Sequence, residues 1–188
     1  MNAQTANNYF KLSTINGDLN KDGLSDRVIV FHDTITAKST YKLEIQFGTP
    51  VDNIFEPIII TEKGIKADFP DAESIEDRFY TGEMFNEVVI NKGLLKIRFN
   101  LQRGHYEHTY RYQNKHFELI GFDYITGDPD YLFSSSFNLS TGTRVVKEKN
   151  GKFKEKIKTE KILLKELPIL GYFVPCINSG FTYNDILY

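Results

Sequence analysis

Along most of this chain apolar and polar residues alternate with a period of two, the spacing of a strand with one face buried. Residues 41–47 (YKLEIQF) set Tyr41, Leu43, Ile45 and Phe47 on one side and Lys42, Glu44 and Gln46 on the other. The run 26–32 (DRVIVFH) reads as a strand, as does the shorter 9–15 (YFKLSTI) before it. Residues 55–61 (FEPIIIT) predict a strand that Pro57 confines to a sheet edge or a bulge, because proline has no N–H for a ladder. From 85 to 124 the pattern is a meander. Strands are predicted at 85–90, 94–99, 106–112 and 117–124, with turns at Asn91-Lys92-Gly93 and Gln113-Asn114-Lys115. Two more are predicted at 133–139 and 143–149, joined near Thr141-Gly142. Asn150-Gly151 is the favoured pair for a type I′ hairpin and should turn the chain directly into a strand over 152–164. The acidic stretch 67–84, broken by Pro70 and Gly82, predicts a loop with at most one helical turn near 74–79. The tail 167–188, with Pro168 and Pro175, predicts a covering strap.

Composition strengthens the β reading. The chain holds 15 Phe and 11 Tyr against no Trp and two Met, and aromatic residues favour pleated surfaces. No linker rich in Pro, Gly or Ser divides its 188 residues, and no repeat recurs at a fixed period, so we expect one domain. The predicted fold class is all-β and mainly antiparallel, a meander of hairpins forming a sandwich or a partly open barrel.

A net charge of −2 gives no electrostatic reason to bind nucleic acid or an acidic lipid surface. The single cysteine, Cys176, permits neither an internal disulfide nor a cysteine-based metal cluster. No segment has the length and apolarity of a membrane-spanning helix, and the opening MNAQTANNYF lacks the apolar core of a secretory signal. The chain is therefore expected to be cytoplasmic, or a mature form with its signal removed and Met1 added.

One stretch, 17–31 (GDLNKDGLSDRVIVF), changes the picture. Asp18, Asn20, Asp22 and Asp26 fall within nine positions, with Gly23 among them. Crowded carboxylates repel unless a positive partner lies between them. Calcium takes six to eight oxygen ligands, and a short loop supplies them from alternate positions when a glycine allows the sharp bend. Counting from Asp18, Asn20 and Asp22 take the third and fifth places and Gly23 the sixth. Leu24 would offer its backbone carbonyl at the seventh and Asp26 a carboxylate at the ninth. The metal-free alternative is turn chemistry, since Asp, Asn and Gly also build Asx-turns. A helix–loop–helix hand does not apply, because the twelfth place is Ile29 and the following residues are strand-like.

The pattern Asp18-x-Asn20-x-Asp22-Gly23-x-x-Asp26 resembles the calcium loops of FG-GAP and VCBS-type repeats, in which the loop joins two antiparallel strands. The likeness covers this loop and the strand after it, in a single copy. It implies a structural calcium ion. The remainder loosely resembles bacterial envelope proteins in which such a loop precedes β hairpins, which implies a periplasmic, cell-envelope or secreted setting. Extracellular modules of this chemistry bind calcium at about 10⁻⁴ to 10⁻³ M.

His105 and His108 are three apart, so on a strand they face opposite sides, and only His32 and His116 remain as further imidazoles for a zinc site. Tyr106, His108, Tyr110 and Tyr112 are a candidate aromatic binding face, or else core packing against neighbouring strands. Asp123, Asp128 and Asp130 offer paired carboxylates for glycosidase chemistry, or turn residues around Gly127-Asp128-Pro129. Lys152, Lys154, Lys156 and Lys158 alternate, as expected of a guarded edge strand or a basic docking face. Asn138-Leu-Ser140 matches a glycosylation sequon. No nucleophile elbow or phosphate-cradling glycine loop occurs. The expected function is a non-catalytic, calcium-binding module for a protein or glycan partner. The alternatives are a carbohydrate-active enzyme or its accessory domain, and an inhibitor or immunity protein.

Overall fold

A computed structural model describes residues 8–51, 53–79, 82–172, 182–183 and 186–187. Two antiparallel sheets face each other across one apolar core. The smaller sheet runs in chain order through β1 (Phe10–Gly17), β2 (Asp26–His32), β3 (Tyr41–Gly48) and β4 (Phe55–Thr61). The larger runs through β5 (Glu83–Asn91), β6 (Leu94–Leu101), β7 (Gly104–Gln113), β8 (His116–Asp128), β9 (Tyr131–Asn138), β10 (Thr143–Asn150) and β11 (Lys156–Lys161). A separate two-residue pair, β12 (Thr182–Tyr183) and β13 (Ile186–Leu187), lies near the C-terminus. Every paired neighbour within a sheet is adjacent in sequence, so both sheets are pure meanders. The sheets do not close into a barrel; the architecture is a sandwich.

The alternation read from the sequence places the core. Val28, Val30, Leu43 and Ile45 point inward from the small sheet and meet Leu95, Ile97, Phe99, Tyr106, Phe117, Leu119 and Phe137 from the large one. Burying side chains of this size stabilises by about 1.5–3 kcal/mol each before chain entropy is counted. Among the described residues no helix is long and apolar enough to cross a membrane.

Hairpin chemistry follows the turn residues at two places. Lys92 (φ 52°) with Gly93 (φ 74°), and Asn114 (φ 53°) with Lys115 (φ 65°), are two-residue connections with both central residues left-handed, as the twist of the flanking strands requires. Pro57 lies on β4, an edge strand, and a register shift opposite it leaves Ile58 as an extra residue. The expectation of an edge or bulge at Pro57 is met by both at once.

Two expectations are corrected. No strand begins at Lys152: β11 starts at Lys156, after a five-residue connection, 151–155. The Gly151 N–H bonds to Asp130 O and extends the β9–β10 ladder by one residue, and the turn forms one residue later, closed by Phe153 N–H to Asn150 O (3.0 Å). Around 74–79 the loop stays within the single helical turn allowed for it: two overlapping turns are closed by Asp77 N–H to Ser74 O (3.2 Å) and Arg78 N–H to Ile75 O (3.3 Å). β8 is also longer than predicted, reaching Asp128 through the polar Thr126-Gly127 that the apolar pattern did not include. Of the strap, residues 167–170 dock on β8, with Leu119 N–H to Pro168 O at 2.8 Å and Leu170 N–H to Phe117 O at 2.9 Å. Residues 173–181, together with Cys176, lie outside the described residues.

Candidate functional site

The acidic loop joins β1 to β2, with Gly17 paired to Asp26 at its mouth. Asp26 is the anchor. It is fully buried, and its Oδ2 accepts the backbone N–H of Leu19 (2.7 Å) and Asn20 (3.3 Å) while its Oδ1 accepts the N–H of Gly48 (3.0 Å). One carboxylate therefore fastens the start of the loop to the end of β3. Gly48 is needed there because a Cβ would lie 2.5 Å from the Ser25 carbonyl oxygen. Leu19, buried at 1% exposure, anchors the loop in the core.

The exposed part is organised by side-chain caps. Asp18 accepts the N–H of Lys21 at Oδ1 (2.6 Å) and of Gly23 at Oδ2 (3.1 Å). Asn20 Oδ1 accepts Asp22 N–H (3.0 Å), Asp22 Oδ1 accepts Leu24 N–H (2.8 Å), and Asn20 Nδ2 donates to Asp22 Oδ2 (2.8 Å). These caps wind the backbone through the left-handed positions Lys21 (φ 65°) and Gly23 (φ 86°).

Three observations bear on whether these residues suit calcium. The donor set is all oxygen, as a hard cation requires. None of Asp18, Asp22 and Asp26 is ion-paired with a lysine or arginine among the described residues; their partners are backbone N–H groups and the Asn20 amide. A carboxylate offers about four lone-pair positions, so the hydrogen bonds orient these groups without saturating them. Against this, no three acidic or histidine side chains converge on one point among the described residues. The loop fits calcium in chemistry and charge, but it is not gathered around a centre.

The candidate aromatic face is not a face. Tyr106 (1% exposed), His108 (0%) and Tyr110 (0%) project from β7 into the core, and Tyr112 packs against Phe47 and Phe117. They are the inward side of a strand whose alternate residues, His105, Glu107 and Thr109, form the outer side. Tyr106 stacks on Phe99 at 4.6 Å and donates its hydroxyl to the buried Glu83, which Lys66 also contacts (3.0 Å). His108 lies among Phe99, Tyr106 and Phe122, where burial pushes its pKa down to about 3 although Glu107 pulls the other way.

Behind that face Glu107 holds an ionic cluster, with Lys96 and Arg98 on β6 as partners and Glu87 bridging to Arg98 at 2.8 Å. Burial raises the Glu107 pKa, but the two cations together outweigh it and hold the carboxyl below its usual range. A second buried group, missed from the sequence, joins loop to sheet. Asp68 accepts the Tyr41 hydroxyl at 3.0 Å and Ser39 Oγ at 3.2 Å, and lies 3.3 Å from His32 Nε2. No local spacing marks it, because its partners are 27 and 29 residues away.

The Asp123, Asp128 and Asp130 carboxylates are divided between β8 and the turn that follows it. Asp123 is exposed on β8, whereas Asp128 Oδ1 caps the N–H of Asp130 and Tyr131 (both 2.9 Å), the turn role. Lys156 and Lys158 lie on the edge strand β11, and Lys152 and Lys154 precede it, so the four do not share one strand face. Comparison with protein-family models, with curated proteins and with solved structures finds no match to this chain.

Proposed function

We propose that this chain is a non-catalytic binding domain whose β1–β2 loop takes up calcium and, through Asp26, stiffens the junction between the loop and the β3–β4 edge. The observation that carries this reading is the set of three carboxylates, Asp18, Asp22 and Asp26, brought into one eight-residue connection and its exit with no cationic side chain paired to them among the described residues. Asp18, Asn20, Asp22, Asp26 and the Leu24 carbonyl would hold the ion, which supplies charge balance and no chemistry. A periplasmic, envelope or secreted setting, where calcium is abundant, goes with it. The expected partner is a protein or glycan. Calorimetric titration of chelator-treated protein with calcium, and in parallel with magnesium, tests the reading. Calcium-selective uptake of one ion at sub-millimolar to millimolar affinity is expected, and no heat from either ion contradicts it.

A second reading rests on the caps themselves. Every carboxylate oxygen of the loop already accepts a hydrogen bond, so the connection can stand as a metal-free Asx-turn latch. The same titration separates the two.

A further inference from the structure

Next to the loop, on the outward face of the small sheet, lies a groove of about 510 Å³, within the range of small-ligand pockets. Arg27 is the one charged side chain among its described lining residues. It belongs to the cross-strand row Asn16–Arg27–Gln46, its Nε donates to Gln46 Oε1, and its guanidinium lies over the Phe55 ring at 3.9 Å. Stacked and tethered at Nε, the guanidinium has little freedom left, while its terminal N–H groups contact no carboxylate among the described residues. A fixed, unpaired guanidinium fork matches the two oxygens of a carboxylate. Around it stand hydroxyl and amide side chains: Thr14 and Asn16 from β1, Ser25 from the loop and Asn53 from the β3–β4 turn. Asn53 is held at φ 63°, a backbone state uncommon outside glycine. Neutral groups that both donate and accept suit a ligand carrying several hydroxyls.

We infer that this groove binds a hydroxylated carboxylate of sugar size, such as a uronic acid, with Arg27 as the carboxylate clamp. One arginine favours a singly charged, planar carboxylate over a phosphate dianion, which collects several cations. The inference rests on the binding-domain reading, while its clamp does not rest on the ion: Arg27, Gln46 and Phe55 are set by the sheet, and the loop contributes Leu24 and Ser25 to the lining.

The experiment is a titration with glucuronate, followed by backbone amide NMR shifts, in chelator and again in calcium, with glucose and acetate as controls. Saturable shifts centred on Arg27, Gly48 and Phe55 with glucuronate are expected in both conditions. Glucose and acetate should each bind at least 10-fold more weakly, the loss of one good charge-assisted contact being worth about a tenfold change. Arg27→Gln should abolish binding, and Arg27→Lys, which keeps the charge but loses the fork, should weaken it about 10-fold. Acetate binding as tightly as glucuronate would overturn the sugar-acid assignment, and glucose binding unaffected by Arg27→Gln would overturn the clamp. Absence of saturable glucuronate shifts in both conditions overturns the site, whatever the ion titration gives. Aryl glucuronide should stay intact; its cleavage would support the groove and overturn the non-catalytic reading alone.

Discussion

Asp26 and Asp22 look equivalent in the sequence pattern, yet the structure gives them different work. Asp26 is buried with three backbone N–H groups on its two oxygens, and Asp22 is exposed with one N–H and one amide. Removing a carboxylate that satisfies buried donors costs far more than removing an exposed cap. Asp26→Ala should therefore destabilise the protein by about 3 kcal/mol or more even without calcium, whereas Asp22→Ala should cost under about 1 kcal/mol. Urea unfolding in chelator reads both. His108 gives a second residue-scale prediction. Its folded pKa is depressed to about 3, so below about pH 6.5 the unfolded chain takes up a proton that the folded chain does not. That contribution is absent at pH 7 and lowers stability progressively as the pH falls. In His108→Phe, a swap into an aromatic cluster, the loss of stability between pH 7 and pH 5 should be smaller than in the parent by about 2 kcal/mol. An equal loss in both would place the acid sensitivity elsewhere. Glu107, held below its usual range by Lys96 and Arg98, loses its contribution only at lower pH, so the two groups separate along the pH axis.

At the scale of elements, β2, β3 and the β5–β8 meander were legible because each strand buries one face and water wets the other, which imposes the alternation seen in the residues. The edge role of β4 followed from Pro57 alone. What local patterns could not show is competition from afar. Asn150-Gly151 has the right local chemistry for a tight turn, but the Asp130 carbonyl draws Gly151 into the β9–β10 ladder, and the turn closes one residue later, with Phe153 N–H on Asn150 O. The tyrosines of β7 were ambiguous for a related reason. Alternation says which residues share a side, not which side faces the other sheet. The turn between β7 and β8 carries a local strain that can be relieved. Lys115 sits at φ 65°, where a side chain is disfavoured. Lys115→Gly should raise stability by up to about 1 kcal/mol, read as a higher urea midpoint at unchanged slope.

For the whole molecule, a four-stranded and a seven-stranded meander share one core, and the two features that point to function sit together at one end of the smaller sheet. The acidic loop and the Arg27 groove meet at Ser25 and Gly48, and Asp26 ties that junction to the start of the loop. The clustering of the loop's carboxylates was readable from spacing. The groove was not, because Arg27, Phe55 and Asn16 are brought together only by strand pairing. The most direct measurement of the central claim is thermal unfolding of chelator-treated protein titrated with calcium, alongside Asp22→Ala. A native-state ligand stabilises by RT ln(1 + [L]/Kd), about 2.7 kcal/mol at a hundredfold excess over Kd. The account predicts a calcium-selective rise in Tm that Asp22→Ala abolishes while its metal-free Tm stays close to the parent's. No rise at millimolar calcium, or an Asp22→Ala protein as destabilised without calcium as with it, would contradict the calcium loop and leave the connection as turn chemistry alone.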